Sequence, residues 1–244
     1  MRKAFVLILL MVLSGAAFAD DDDKPFGARA ALSYHGTGGN TSTHGLTAGG
    51  DSEYDGGKFM LDGGGDYAFT ASEGTKKSEN AGLFAGAKYF FTGGDRLYAR
   101  YKGRWRRNTF SGFESRLSNF GGLGAYLFRD ESRQFAAGAL LGYIQERYVA
   151  DVAQPPAGFP ATCVGFDCEM SIDDAYEIDA SVTWDVSLED VADRVLTANL
   201  HFGVVAEDWL VFTVSEKVEW DNVTPEGYAQ RDMVTAVGFA VRTP

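Results

Sequence analysis

The side chains with the widest chemical repertoire in this sequence are three histidines, two cysteines and one dense run of cations. His35, His44 and His201 have no second ligand at metal-binding spacing, so no metal site is expected. His35 and His44 flank a turn-rich stretch, but a strand register that keeps Leu46 and Ala48 on the apolar side puts the two on opposite faces. His201 stands beside Asn199 in an alternating segment. As a general base it would need a nucleophile held within hydrogen-bond reach, and no motif places a Ser or Asp there. Gly63-Gly64-Gly65 lies inside a strand pattern rather than ahead of a helix, which argues against a phosphate cradle. The residues therefore predict no catalytic group and no cofactor, and an enzyme built on His201 is the second reading.

Cys163 and Cys168 lie close together in a stretch that also contains Pro155, Pro156 and Pro160. In an exported chain the spacing predicts a local disulfide stapling one loop. A metal-binding pair would want further ligands nearby.

The cations are organised more sharply. From Arg96 to Arg107, the residues Arg96, Tyr98, Arg100, Lys102, Arg104 and Arg106 alternate with Leu97, Ala99, Tyr101, Gly103 and Trp105. Side chains of a strand point to opposite faces with period two, so this element has one cationic and one apolar face. A soluble sheet would bury the apolar face, whereas a membrane barrel turns it to lipid and keeps the polar face in the lumen.

The elements around this strand decide between the two. Segment after segment alternates in the same way, from Ala28 through Tyr34, from Leu46 to Tyr54, from Phe59 to Phe69 and from Ala81 to Phe91. The pattern continues through Leu117 to Leu127 and Phe135 to Tyr143, and later from Tyr176 to Val186, Leu196 to Val204, Leu210 to Trp220 and Met233 to Val241. Gly36 to Ser42, Asp55-Gly56-Gly57 and Thr92 to Asp95 supply hairpin chemistry between them. The sixth and seventh segments are blurred, because Phe120, Leu140 and Ile144 fall on the polar face. Between Ala150 and Asp174 the alternation stops, and the stretch reads as a long loop.

The segments run to about ten residues, the length a tilted membrane strand needs; soluble strands average about five or six. Mid-strand apolar positions are Ala and Gly, where a packed soluble core would prefer bulk. Large aromatics collect at strand ends instead. Tyr54, Tyr89, Phe91, Trp105, Tyr126, Trp184, Trp209 and Trp220 read as two interfacial girdles. An Arg facing lipid at mid-depth costs roughly 2 to 4 kcal/mol. Arg96, Arg100, Lys102, Arg104 and Arg106 are therefore assigned to the lumen, together with Lys88 and the acids Asp51, Glu53, Asp62, Asp66, Glu177, Asp179 and Asp185, which can meet them there. Eleven strands can be read. Single-chain barrels use even numbers, so twelve are expected, the missing one within Thr162 to Ile172, with ten as the alternative.

Arg2, Lys3, the apolar run Ala4 to Leu13 and Ala17-Phe18-Ala19 follow the order of a secretory signal peptide. Residues 1–19 are read as that peptide, 20–26 as an acidic leader whose Asp20 to Lys24 resembles an enteropeptidase site, and 27–244 as one antiparallel up-and-down transmembrane β-barrel. A formal net charge of -12 argues against a nucleic-acid partner.

Three stretches carry a family resemblance. Leu32-Ser33-Tyr34 through Gly39-Asn40-Thr41, the turn before Arg96-Leu97-Tyr98, and Phe120-Gly121-Gly122-Leu123-Gly124-Ala125-Tyr126-Leu127 together resemble the domain of unknown function 481 family, described as salt-induced outer-membrane proteins. The resemblance implies a closed barrel in the outer membrane of a Gram-negative bacterium, with outer-membrane lipids and the barrel-assembly machinery as partners. It implies no established activity. The chain departs from the family in ending Val241-Arg242-Thr243-Pro244 without a terminal aromatic, and in its Pro- and Cys-bearing insert. The expected function is a structural, stress-related barrel or a narrow charge-lined channel for small ions or solutes. Alternatives are an outer-membrane enzyme acting on lipid or peptide at the rim and a secreted soluble β-barrel or sandwich that binds a ligand.

Overall fold

Strand-length alternating segments joined by turn residues can satisfy every backbone group without a free edge only by closing on themselves. The computed structural model of the chain does this. It describes residues 26–37, 43–72, 75–91, 96–109, 112–130, 132–150, 157–225 and 230–243. The expected signal peptide, most of the expected acidic leader and the expected turn at Thr92 to Asp95 lie outside these residues. The described residues form twelve strands and no helix. In chain order these are β1 (Phe26–Thr37), β2 (Thr43–Asp55), β3 (Phe59–Ser72), β4 (Thr75–Phe90), β5 (Leu97–Asn108) and β6 (Phe113–Arg129), followed by β7 (Arg133–Tyr148), β8 (Ala157–Ile172), β9 (Tyr176–Ser187), β10 (Arg194–Glu207), β11 (Leu210–Asp221) and β12 (Arg231–Arg242). Every strand pairs antiparallel with its sequence neighbours, and β1 pairs with β12 to close the barrel.

β8 corrects the loop reading of Ala150 to Asp174 and supplies the missing strand. The alternation fails there for a physical reason. Phe159, Ala161 and Cys163 on its inner face join Phe120, Leu140 and Ile144 in a buried apolar cluster, while Val164 and Phe166 face outward. Both faces are apolar, so period two leaves no trace in hydropathy. The blurred sixth and seventh segments have the same cause. Pro160 is tolerated near the strand start, where the β8–β9 ladder begins only at Ala161.

The predicted disulfide does not form. Cys163 and Cys168 are free, the first buried. An odd spacing in a strand sends them to opposite faces, Cys163 inward and Cys168 outward.

The outer wall is apolar, as the cost of lipid-facing charge requires. Leu83, Leu97, Leu123, Leu141 and Met233 are 58 to 65% exposed. Two polar pairs on this wall satisfy each other: Tyr101 donates to Asn119 at 2.8 Å, and Thr235 donates to Glu216. Tyr54, Tyr89, Phe91 and Trp209 ring the end that carries the chain termini, with Phe59 against Tyr89 at 4.9 Å. Trp105, Trp184 and Trp220 lie toward the other end. Tyr126 is not in the girdle. It keeps the phase of the inward residues and is buried, while a bulge between Tyr126 and Phe128 turns Phe128 outward opposite Phe135.

At the closing seam only Arg29–Tyr34 and Val237–Arg242 are in register, and the ladder sets Arg29 directly opposite Arg242. Like charges so placed repel. Both reach across the lumen to β9, Arg29 to Asp179 at 3.6 Å and Arg242 to Glu177, which offsets the repulsion.

Candidate functional site

The lumen is where the charges are, and its contents divide by height and by wall. Near the end opposite the termini, Arg106 of β5 pairs with Glu219 of β11. In a ring of twelve these strands are six apart, so the pair crosses the full width of the barrel. Beside it Arg116 of β6 holds two carboxylates, Glu146 at 2.9 Å and Asp221 at 2.9 Å. Tyr148 donates a 2.8 Å hydrogen bond to Glu146, and the Arg116 guanidinium lies 5.2 Å from the Phe113 ring. All five charged residues of these contacts, Arg106, Arg116, Glu146, Glu219 and Asp221, are nearly inaccessible. The contacts to Glu219 and Asp221 form straps between opposite walls, while Glu146 is the ladder neighbour of Arg116 on β7.

The middle of the lumen is filled on its β6–β8 side by the apolar cluster around Phe120 and Leu140. The space left over is a cavity of about 320 Å³ between β3–β5 and β10–β11, lined by Asp62, Asp66, Phe84, Arg100, Lys102, Arg104, Arg106, Asn199 and Lys217, among others. Phe84 is 38% exposed, and it is exposed to this cavity rather than to lipid. Arg100 is drawn off to Asp167 of β8 at 2.8 Å. Asp62 and Asp66 of β3 stand in register with Gly86 and Gly82 of β4, and their carboxylates occupy the room a Cβ on either glycine would take. The acids are thereby held against their own wall.

Toward the termini, a second cavity of about 360 Å³ is lined by Arg29, Asp51, Glu53, Glu169, Glu177, Asp179 and Arg242, among others. The opposite side at this height is plugged. Phe90, Tyr98 and Tyr126 pack with ring centroids 5.4 to 6.2 Å apart. Lys88 lies 5.6 Å from the Tyr98 centroid and 5.4 Å from that of Tyr126, and donates to the Tyr126 hydroxyl at 3.1 Å. Arg129 approaches the Tyr126 ring at 4.7 Å, so cations flank the aromatic group from two directions.

His201 has the neighbours of a hydrolase without their arrangement. The ladders set it opposite Asp179 on β9 and Ser215 on β11. Its Nε2, however, lies 3.3 Å from an Arg29 nitrogen. A guanidinium only donates, so Nε2 is the acceptor and Nδ1 carries the proton. No hydrogen bond joins His201 to Ser215 or Asp179 among the described residues, and the nitrogen a base would use is occupied. The register sets His35 opposite Gly45 and His44 opposite Gly36.

Of the charges assigned from sequence, Arg100, Lys102, Arg104, Arg106, Lys88, Asp51, Glu53, Asp62, Asp66, Glu177, Asp179 and Asp185 belong to inward positions. Arg96 lies outside the strands, just ahead of β5, and is exposed. The partners also differ from those expected, since Arg100 and Arg106 choose Asp167 and Glu219. Arg29, Arg116, Glu146, Asp167, Lys217, Glu219 and Asp221 join them in the lumen, and the strand pattern alone does not mark them as partners. Asp167 was hidden by the loop reading. Arg116 keeps the inward phase of Phe120, Gly124 and Tyr126, but the mixed polarity of β6 leaves that face unmarked in the sequence.

A family model for proteins of unknown function, DUF481, matches residues 30–242. The chain belongs to the DUF481 family. No curated protein matches it. Among solved structures this DUF481 barrel is similar to the translocator domain of autotransporter NalP from Neisseria meningitidis, with 13% identity over 98% of this chain and 95% of that one and a TM-score of 0.49. It is similar also to the NanC porin, at 10% identity, 88% and 97% coverage and a TM-score of 0.48. A third is the COG4313 outer membrane channel from Pseudomonas putida F1, at 10% identity, 91% and 99% coverage and a TM-score of 0.47. The DUF481 barrel here is a closed, twelve-stranded, antiparallel one on the evidence of its own ladders.

Proposed function

We propose that this DUF481 protein is exported by its amino-terminal signal peptide to the outer membrane of a Gram-negative bacterium and acts there as a narrow channel for small charged solutes, with no catalytic activity. Outer-membrane lipids are its surroundings and the barrel-assembly machinery is the partner that inserts it. The observation that carries the reading is the pair of charge-lined cavities inside an apolar-walled barrel, about 320 Å³ and about 360 Å³. Charged lumen walls set ion preference in pores of this kind. An even strand number puts both termini on one side, which in such barrels is the periplasmic side with the shorter turns.

Planar-bilayer recording of the refolded protein tests this. Small, charge-selective conductance steps are expected, and a larger step for the Arg106→Ala variant, which releases the strap to Glu219. The straps and the aromatic plug also favour a second reading, a structural barrel that conducts nothing. Silent bilayers from protein that still shifts on a gel between unheated and boiled samples would leave only that role. Cleavage of lipid or peptide that is lost in His201→Ala would instead establish the enzyme.

A further inference from the structure

Five cations line the central cavity, and they are not equally satisfied. Arg100 is paired with Asp167 and Arg106 with Glu219. Lys102 and Arg104 on β5 and Lys217 on the facing β11 line the same cavity, yet among the described residues no carboxylate lies within ion-pair distance of any of the three. The two acids of the cavity do not meet this need, because Asp62 and Asp66 are folded back over Gly86 and Gly82 on the β3–β4 wall. Asp185 and Glu219 act on these cations only from beyond ion-pair distance, and three cations without a direct partner in a partly enclosed space favour a bound counter-charge.

From this arrangement we infer that the cavity is a binding site for a small organic anion, a carboxylate or phosphate monoester carrying its charge at one end. Lys102, Arg104 and Lys217 take the anionic group from two facing walls. Asn199 and Thr197, which also line the cavity, offer polar contacts beside them. Phe84 presents an exposed ring to the same space, in register with Arg104, so a planar or apolar body attached to the anion finds a surface there. Asp62 and Asp66 lean over Gly86 and Gly82, which stand in register with Lys102 and Arg106, so the β3–β4 side of the cavity is negative and disfavours a second anionic group on the solute. The volume, about 320 Å³, is at the small end of ligand cavities and fits a single compact solute. The inference concerns occupancy of the cavity and does not depend on conduction.

Isothermal titration of the full-length protein, refolded in detergent, with benzoate and with its neutral isostere benzamide tests it. Benzoate should bind at least tenfold more tightly than benzamide, phthalate with its second carboxylate should bind more weakly than benzoate, and benzoate should lose at least tenfold in Lys102→Gln/Arg104→Gln. Folding of each variant is checked by the gel shift between unheated and boiled samples. If the double variant does not fold, Lys217→Gln on the opposite wall takes its place, with at least a threefold loss expected. Equal binding of benzoate and benzamide, or undiminished benzoate binding in a folded variant, overturns the site. Benzoate binding by a protein that is silent in bilayers would refute only the channel.

Discussion

Replacing Arg116 by Leu isolates what the buried straps contribute. Its side chain is 7% exposed, and its partners Glu146 and Asp221 are 5% and 4% exposed. Leu preserves much of the apolar contact with Phe113 but strands two carboxylates in the interior. Removing one partner of a buried pair costs about 3 to 5 kcal/mol, because the remaining charge is left uncompensated. With two acids stranded, Arg116→Leu should fall at the upper end, a large share of a domain stability of about 5 to 15 kcal/mol. The same reasoning predicts a rescue. Arg116→Leu/Glu146→Gln/Asp221→Asn removes all three charges, and buried ion clusters replaced as a unit are often neutral or better. The triple variant should lie within about 2 kcal/mol of wild type, the residue being imperfect amide hydrogen bonding. The assay is denaturant unfolding of protein refolded in lipid vesicles, analysed by linear extrapolation with m unchanged. Arg133 and Asp130 form a pair of nearly the same length, 2.8 Å, in an exposed turn; breaking it should leave the midpoint unmoved. A loss below about 1 kcal/mol in Arg116→Leu, or a triple variant no more stable than the single one, would refute the claim that burial rather than geometry sets the strength of these pairs.

Other expectations follow from single positions. Tyr98 stands in register with Gly124, whose missing Cβ leaves room for the ring; Gly124→Val should unseat the aromatic plug and cost about 1 to 3 kcal/mol, read as a shift in the unfolding midpoint. Asp193, in the turn between β9 and β10, has its carboxyl pushed up to about 6, first by burial and then by repulsion from Glu146, with Arg116 opposing. The folded state therefore holds this proton more tightly than the unfolded chain, and the carboxyl costs stability as pH rises from the ordinary carboxylate range through 6. Asp193→Asn should be more stable than wild type at neutral pH, by under about 1 kcal/mol once solvent screening is allowed for, with the gain vanishing in acid; an unchanged or reversed pH profile would contradict it. Cys163 and Cys168 should titrate as two free thiols in denaturant without reductant, and an intrachain bridge found by mass spectrometry would overturn their placement on opposite faces.

The fold was legible wherever the two faces of a strand differ in polarity, and illegible where they do not. β5 could be read outright because Arg100, Lys102 and Arg104 alternate with Ala99, Tyr101 and Gly103. β8 could not, since Phe159, Ala161 and Cys163 carry apolar character to the inner face as well. Period two is a statement about contrast, and a lumen that is part apolar erases it locally. Bulges act differently. They preserve contrast but reset its phase, as at the end of β6, where Tyr126 still points inward and Phe128, two residues on, points outward.

Pairing in the lumen lies beyond any such pattern, because it depends on which strands face each other across the ring. Arg106 and Glu219 are separated by 113 residues, and their contact exists only because β5 and β11 come to opposite positions once twelve strands have closed. A ten-stranded ring of the same sequence would have given Arg106 a different partner. The strand count therefore fixes more than the diameter of the barrel. By deciding which cations meet an acid across the ring, it consumes Arg100 and Arg106 in straps and leaves Lys102, Arg104 and Lys217 facing the cavity. That residue of unpaired charge is what gives the lumen a chemical preference, and it arises from closure as much as from composition.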